Sequence, residues 1–158
     1  MNKIEQIKEI LTERGLKLSC GESCTGGLIS STLTDVDGSS NFVEINFVTY
    51  SPYAKERFLN VPKSVIDKFG VVSYETAGAM AKGLLKYSGV SISTTGYASS
   101  TNGDKNNEKG TVYFGFAYKD KIRVSRYVSC KKTRIEIKKD MAEHILGEFL
   151  KFLCETFN

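Results

Sequence analysis

Histidine is nearly absent from this chain. His144 is the one copy in 158 residues, which removes the usual base for a serine or cysteine nucleophile. It falls inside a helical pattern, where a structural role is expected. Proline is scarce too, with two copies, and no stretch approaches the eighteen consecutive apolar residues that signal a membrane span. The four cysteines, Cys20, Cys24, Cys130 and Cys154, form no CxxC pair. With no histidine beside Cys20 and Cys24 they compose no zinc site, so free thiols are expected. The first residues, MNKIEQIKEILTERG, carry charges where a secretion signal needs an apolar core. A cytoplasmic location is therefore expected.

What is present describes a globular domain. At 41% hydrophobic and 11% aromatic residues the chain can bury a core, and its length suits one domain covering 1–158. Residues 3 to 14 place Ile4, Ile7, Ile10 and Leu11 on one helical face, and Gly15 supplies a stop. LKLSC, 16 to 20, alternates as a strand. A helix is predicted to open at Thr25 directly on a glycine turn. A turn at 37 to 40 and a β-rich run at 46 to 50 follow, and Ser51-Pro52 caps a short helix that carries Lys55. Further helices are expected from Pro62 to Phe69 and over 75 to 87, the latter rich in small residues that allow close packing on a sheet. A strand at 88 to 94, a polar loop at 96 to 110 and a hairpin from 111 to 129 lead to a helix over 134 to 156. The predicted fold class is α/β: a three-layer α/β/α sandwich around a mixed, mostly parallel sheet, with a C-terminal β-hairpin and helix. Ligands in such folds collect at the carboxyl ends of parallel strands, where the 21–27 turn, the 47–55 segment and the 96–110 loop all begin.

The turn Gly21-Glu22-Ser23-Cys24-Thr25-Gly26-Gly27 is the densest chemistry in the chain. It approaches a G-x-S-x-G nucleophile turn but has Thr25 in fifth place, and it lacks the GK[ST] ending of a triphosphate loop. A glycine-rich turn opening a helix would hold an anion, either a phosphate or the oxyanion of acyl transfer. Two readings of Ser23 stand side by side, a helix cap and a nucleophile. Without histidine, a base for Ser23 must be lysine, tyrosinate or carboxylate, and Lys55 is placed to reach the same pocket. Lys55 equally fits a surface helix. To act as base its pKa must fall from about 10.4 toward 7–8, which needs burial or a neighbouring positive potential such as a helix start at Thr25. Cys24 has no activating neighbour and is read as a packed thiol.

ESCTGG with Ser23, GSSNF at 38–42, FVTYSPYAK at 47–55 and GVVSYETAGAMAKG at 70–83 occur in an order that resembles the CinA C-terminal domain family across nearly the whole chain. The resemblance implies an α/β/α domain, a homo-oligomer, and hydrolysis of nicotinamide mononucleotide to nicotinate mononucleotide and ammonia with no organic cofactor or metal. It implies catalytic roles for Ser23 as nucleophile, Lys55 as proton carrier and Tyr50 as support for that pair. It implies substrate contacts from Thr25, Gly26, Gly27, Ser39, Ser40, Thr95, Gly96 and Arg134, the last facing a phosphate. The chain departs from the family pattern at 97–103, reading Tyr97-Ala98-Ser99-Ser100-Thr101-Asn102-Gly103 where IAGPxGG is usual, which alters both backbone freedom and stiffness. An alternative is therefore a nucleotide-binding or regulatory homologue with weakened chemistry. The net charge of +4 gathers between Lys119 and Lys139, yet the region shows no nucleic-acid motif, and a small-molecule nucleotide is the expected partner.

Overall fold

The computed structural model describes residues 1–158. Five strands form one sheet in the order β2-β1-β3-β4-β5. They are β1 (Leu18–Glu22), β2 (Val43–Val48), β3 (Val90–Gly96), β4 (Thr111–Tyr118) and β5 (Lys121–Val128). β1 runs parallel to both β2 and β3, and β4 and β5 complete the sheet as the expected antiparallel hairpin. On one face lie α1 (Lys3–Glu13), α2 (Leu28–Leu33) and α6 (Arg134–Phe157); on the other lie α3 (Pro52–Leu59), α4 (Lys63–Phe69) and α5 (Tyr74–Leu84). This is the three-layer α/β/α sandwich expected from the sequence.

The two faces are built from different chemistry. Alternation along the strands turns Leu18, Cys20, Val90, Ile92, Phe114 and Phe116 toward α1 and α6, where Ile7, Leu11, Ile137, Ile145, Phe149 and Phe152 complete one apolar cluster. Each fully buried aliphatic or phenyl group contributes about 1.5–3 kcal/mol there. The residues pointing the other way are small and polar. Ser91 Oγ donates to the Ala81 carbonyl and Ser93 Oγ to the Ala77 carbonyl, both at 2.7 Å, so the sheet bonds directly to the backbone of α5. Such contact needs a helix without bulk, which the Ala77, Gly78 and Ala81 face provides. Gly83 takes this furthest, because a Cβ added there would lie 1.7 Å from the Leu59 carbonyl oxygen at the end of α3.

Boundaries differ from the sequence expectations in ways that shape the site. β1 extends to Glu22, and β2 runs from Val43 to Val48, with the Thr49 amide closing the parallel ladder on the Glu22 carbonyl at 2.7 Å. α2 begins at Leu28, three residues later than expected, since Gly26 (φ +60°) and Gly27 (φ +98°) are both left-handed and cannot belong to the helix. His144 stacks on Tyr127 with ring centroids 3.8 Å apart and meets the edge of Phe114. Burial lowers its pKa, and its role is packing, as expected. In the basic region Arg123 pairs with Glu155 and Arg126 with Glu108. No helix is long and apolar enough to cross a membrane.

Gly83→Ala should destabilise the protein by about 2–3 kcal/mol in urea unfolding, since the added methyl group drives α3 away from α5. A loss below about 0.5 kcal/mol would contradict the close approach of the two helices.

Candidate active site

The carboxyl ends of β2, β1 and β3 lie side by side, and β5 runs out at the same end of the sheet to deliver the first turn of α6. Between them lies a cleft of about 360 Å³ whose lining includes Ser23, Tyr50, Gly96, Ser99, Ser100 and Arg134. The three segments singled out in the sequence therefore meet as expected.

At the floor, Lys55 Nζ donates to Ser23 Oγ at 3.1 Å and to the Thr49 carbonyl at 2.7 Å. Lys55 is fully buried. α3 places it there: Ser51 caps the helix by accepting from the Ala54 amide, Pro52 fits the first turn, and the side chain of its fourth residue turns inward beneath the sheet edge. No carboxylate pairs with it. Burial without a counter-ion lowers its pKa from 10.5 to about 8. The positive helix start expected from Thr25 is not the cause, because an internal anion already occupies that position.

That anion is Glu22. Its fully buried carboxylate accepts from the Ile29 amide at 3.0 Å, the Ser30 amide at 2.8 Å, the Ser30 hydroxyl at 2.5 Å and the Thr25 hydroxyl at 2.6 Å. The first amides of α2 are thus satisfied from within, so the expectation that this turn would cradle a phosphate is corrected. Thr25 is corrected only in its hydroxyl, which is buried and bonds Glu22 and Thr94; its backbone amide donates to no other protein group. Thr94 Oγ1 in turn accepts from the Ser23 amide at 3.2 Å and fixes the turn from the neighbouring strand. The backbone carbonyl of Glu22 holds Thr49, whose own carbonyl takes Lys55. Glu22 and Thr94 were not singled out as site residues; the readable signal was a carboxylate three residues before a threonine at the close of an apolar strand.

The remaining expected residues divide. Gly26 and Gly27 face a neighbouring depression of about 320 Å³ with Lys138 and Lys139, outside the Ser23 cleft. Ser39 and Ser40 are corrected outright. They form a 3₁₀ turn that leads into the start of β2, and Lys17, just before β1, donates to the Ser40 carbonyl. Five residues of strand, about 17 Å, separate that end of the sheet from Ser23. Thr95 and Gly96 line the cleft, but the Thr95 hydroxyl is committed to the Val71 carbonyl at 2.8 Å, and a Cβ at Gly96 would strike the Thr111 carbonyl. Tyr50 does not hydrogen-bond Lys55 or Ser23; it stands 59% exposed and accepts from Arg134 Nη2 at 2.8 Å. Arg134 Nη1 donates to Ser99 Oγ at 2.6 Å. Cys24 is buried, and its thiol is pushed up to about 12 chiefly by that burial, so it is inert as a nucleophile.

A hydroxyl hydrogen-bonded to an amine that sheds its proton near pH 8 is the minimum equipment for acyl transfer without histidine. The same cleft is lined by Arg134, which has no carboxylate partner and can receive an anionic group.

The chain is similar in sequence and in fold to known proteins. The CinA C-terminal domain family matches residues 2–153. A putative competence-damage inducible protein of Caldicellulosiruptor saccharolyticus is 44% identical over 120 residues, 75% of this chain but 29% of that protein. The chain thus spans under a third of the length of that relative. The nicotinamide-nucleotide amidohydrolase PncC of Enterobacter agglomerans is 42% identical over 117 residues, covering 73% of this chain and 71% of that protein. The crystal structure of the competence/damage inducible protein CihA from Agrobacterium tumefaciens superposes with a TM-score of 0.86 at 33% identity, covering 97% of this chain and 96% of that one.

Because the native state holds Lys55 below its unfolded pKa, it binds fewer protons than the unfolded chain between pH 8 and 10.5. The buried ammonium costs roughly 3 kcal/mol below pH 8, and that cost fades as the pH rises to 10.5. Lys55→Met should therefore be more stable than the wild type at pH 7 by about 1–2 kcal/mol, after the lost bond to Thr49 is allowed for. Chemical denaturation across this range should show the advantage shrinking with pH. A pH-independent difference would contradict the assignment.

Proposed function

The chain belongs to the CinA C-terminal domain family, and from that premise we propose that it is an amidohydrolase converting nicotinamide mononucleotide to nicotinate mononucleotide and ammonia. The observation that carries this reading is the 3.1 Å contact between Ser23 Oγ and a buried Lys55 whose pKa is lowered to about 8. The 42% identity to a nicotinamide-nucleotide amidohydrolase supports the substrate class.

In the proposed reaction, neutral Lys55 keeps its bond to the Thr49 carbonyl and accepts the Ser23 hydroxyl proton as Oγ attacks the carboxamide carbon. The Cys24 and Thr25 amides donate to no other protein group and are placed by sequence, directly after the nucleophile, to receive the oxyanion. Collapse of the tetrahedral adduct breaks the carbon–nitrogen bond, with Lys55 returning its proton to the departing nitrogen as ammonia. Water then attacks the ester on Ser23 and gives a proton to Lys55; the carbon–Oγ bond breaks to release the carboxylate product, and Lys55 passes that proton to Ser23 Oγ. Arg134, which lines the same cleft, meets the phosphate. Tyr50 acts on that arginine, not on the serine–lysine pair. The substrate phosphate has no place at the glycine turn, where the Glu22 carboxylate would repel it.

One observation favours a second reading, a nucleotide-binding homologue with weakened chemistry: the 97–103 loop that lines the cleft departs from the family pattern at its glycine and proline positions. Binding of the mononucleotide without ammonia release over a long incubation would establish it.

Ser23→Ala and Lys55→Ala should each lower kcat/KM for ammonia release from nicotinamide mononucleotide by about a thousandfold or more while remaining folded by circular dichroism. The wild-type kcat/KM should climb with pH and level off above an apparent pKa of about 8, because only the unprotonated amine can accept the serine proton. A profile already flat from pH 6, or a folded Lys55→Ala protein with undiminished turnover, would remove Lys55 from the reaction.

A further inference from the structure

An arginine on the first turn of a helix, exposed to solvent, ordinarily samples many rotamers. Arg134 does not have that freedom. Its two terminal nitrogens are held from opposite walls of the cleft, Nη1 by Ser99 Oγ at 2.6 Å and Nη2 by Tyr50 OH at 2.8 Å. Two of the five guanidinium N–H groups are used this way and three remain for a ligand. Tyr50 follows β2 and Ser99 follows β3, so the arginine spans the gap between two strand ends.

Ser99 is itself on a braced loop. Tyr97 OH donates to Asp104 at 3.1 Å, and the Asn106 amide and Asn107 side chain donate to the same carboxylate. Asn107 also donates to the Val72 carbonyl and accepts from Tyr113 OH on β4. The loop that bears Ser99 is tied to the sheet at both ends, which gives the hydroxyl a fixed position to offer.

We propose that Ser99 is the specificity-determining residue of the cleft: by holding Arg134 between itself and Tyr50 it presents a preorganised guanidinium to the phosphomonoester of the substrate, and so selects a nucleotide over its dephosphorylated nucleoside. This rests on the amidohydrolase reading for the identity of the nucleotide, but not for the selection itself. A neutral hydroxyl leaves the full positive charge available to the phosphate, whereas a carboxylate in its place would cancel it. Ordering the side chain before binding spares the entropy otherwise lost on contact, an effect of about 3- to 10-fold for one long side chain.

The test compares nicotinamide mononucleotide with nicotinamide riboside. Ser99→Ala should reduce the preference for the nucleotide about 3- to 10-fold, with the change appearing in KM rather than kcat, and Ser99→Thr should restore it. In an Arg134→Ala background, Ser99→Ala should change the preference no further. An equal loss on both ligands, or an effect of Ser99→Ala that persists without Arg134, overturns the proposal. Calorimetric titration of both ligands into wild type and Ser99→Ala separates this from the chemistry. If the wild type releases no ammonia but binds the nucleotide, and not the riboside, more tightly than the Ser99→Ala protein does, the amidohydrolase reading fails and the role of Ser99 stands. Equal affinities overturn the role of Ser99 whatever the turnover, and a wild type that neither binds nor hydrolyses the nucleotide overturns both.

Discussion

The arrangement depends on one buried amine without a counter-ion. Lys55 is fully enclosed, bonded to a serine hydroxyl and a backbone carbonyl and to no carboxylate. Folding tolerates this because the amine can give up its proton near neutral pH at a cost far below that of confining an obligate charge. The same burial that penalises the fold supplies a proton acceptor to a chain with one histidine, and that histidine is packed between aromatic rings.

Around this amine the structure spends its polar groups on holding parts still. Glu22 is the clearest case. Its carboxylate closes the start of α2 and its backbone carbonyl seats Thr49, so one residue orders both the turn carrying Ser23 and the acceptor that aims Lys55. Thr94 completes the frame by fixing the Ser23 amide from β3. With the helix start filled by an internal anion, the cationic side chain lining the Ser23 cleft and free of a carboxylate partner is Arg134.

Much of this was legible in the sequence. Alternating and helical periodicities gave every layer of the sandwich, and strand ends before 23, 49 and 97 foretold a shared cleft. Lys55 was reachable because a proline-started helix follows a strand by a fixed short distance, though spacing alone could not show burial. What escaped had physical reasons. Two consecutive glycines after Thr25 looked like an open helix start, whereas the carboxylate that fills it lies on the preceding strand, and side-chain caps from outside a helix leave no local pattern. Ser39 and Ser40 sat close in sequence to a site motif but precede β2, and a strand carries its two ends to opposite edges of the sheet. Tyr50 was assigned to the reacting pair on resemblance, while its hydroxyl reaches Arg134. In the 97–103 loop, the loss of glycine and proline looked like a loss of stiffness; the bonds from Tyr97, Asn106 and Asn107 to Asp104 restore it by other means.

The most direct measurement is the titration of Lys55 itself, followed by NMR of protein labelled at the lysine ε-carbons, with Lys55→Met to assign the signal. One resonance should titrate near pH 8 and vanish in the variant. If the Lys55 signal instead titrates with the surface lysines at about 10.4, the amine is not desolvated and cannot serve as the proton acceptor on which the account is built.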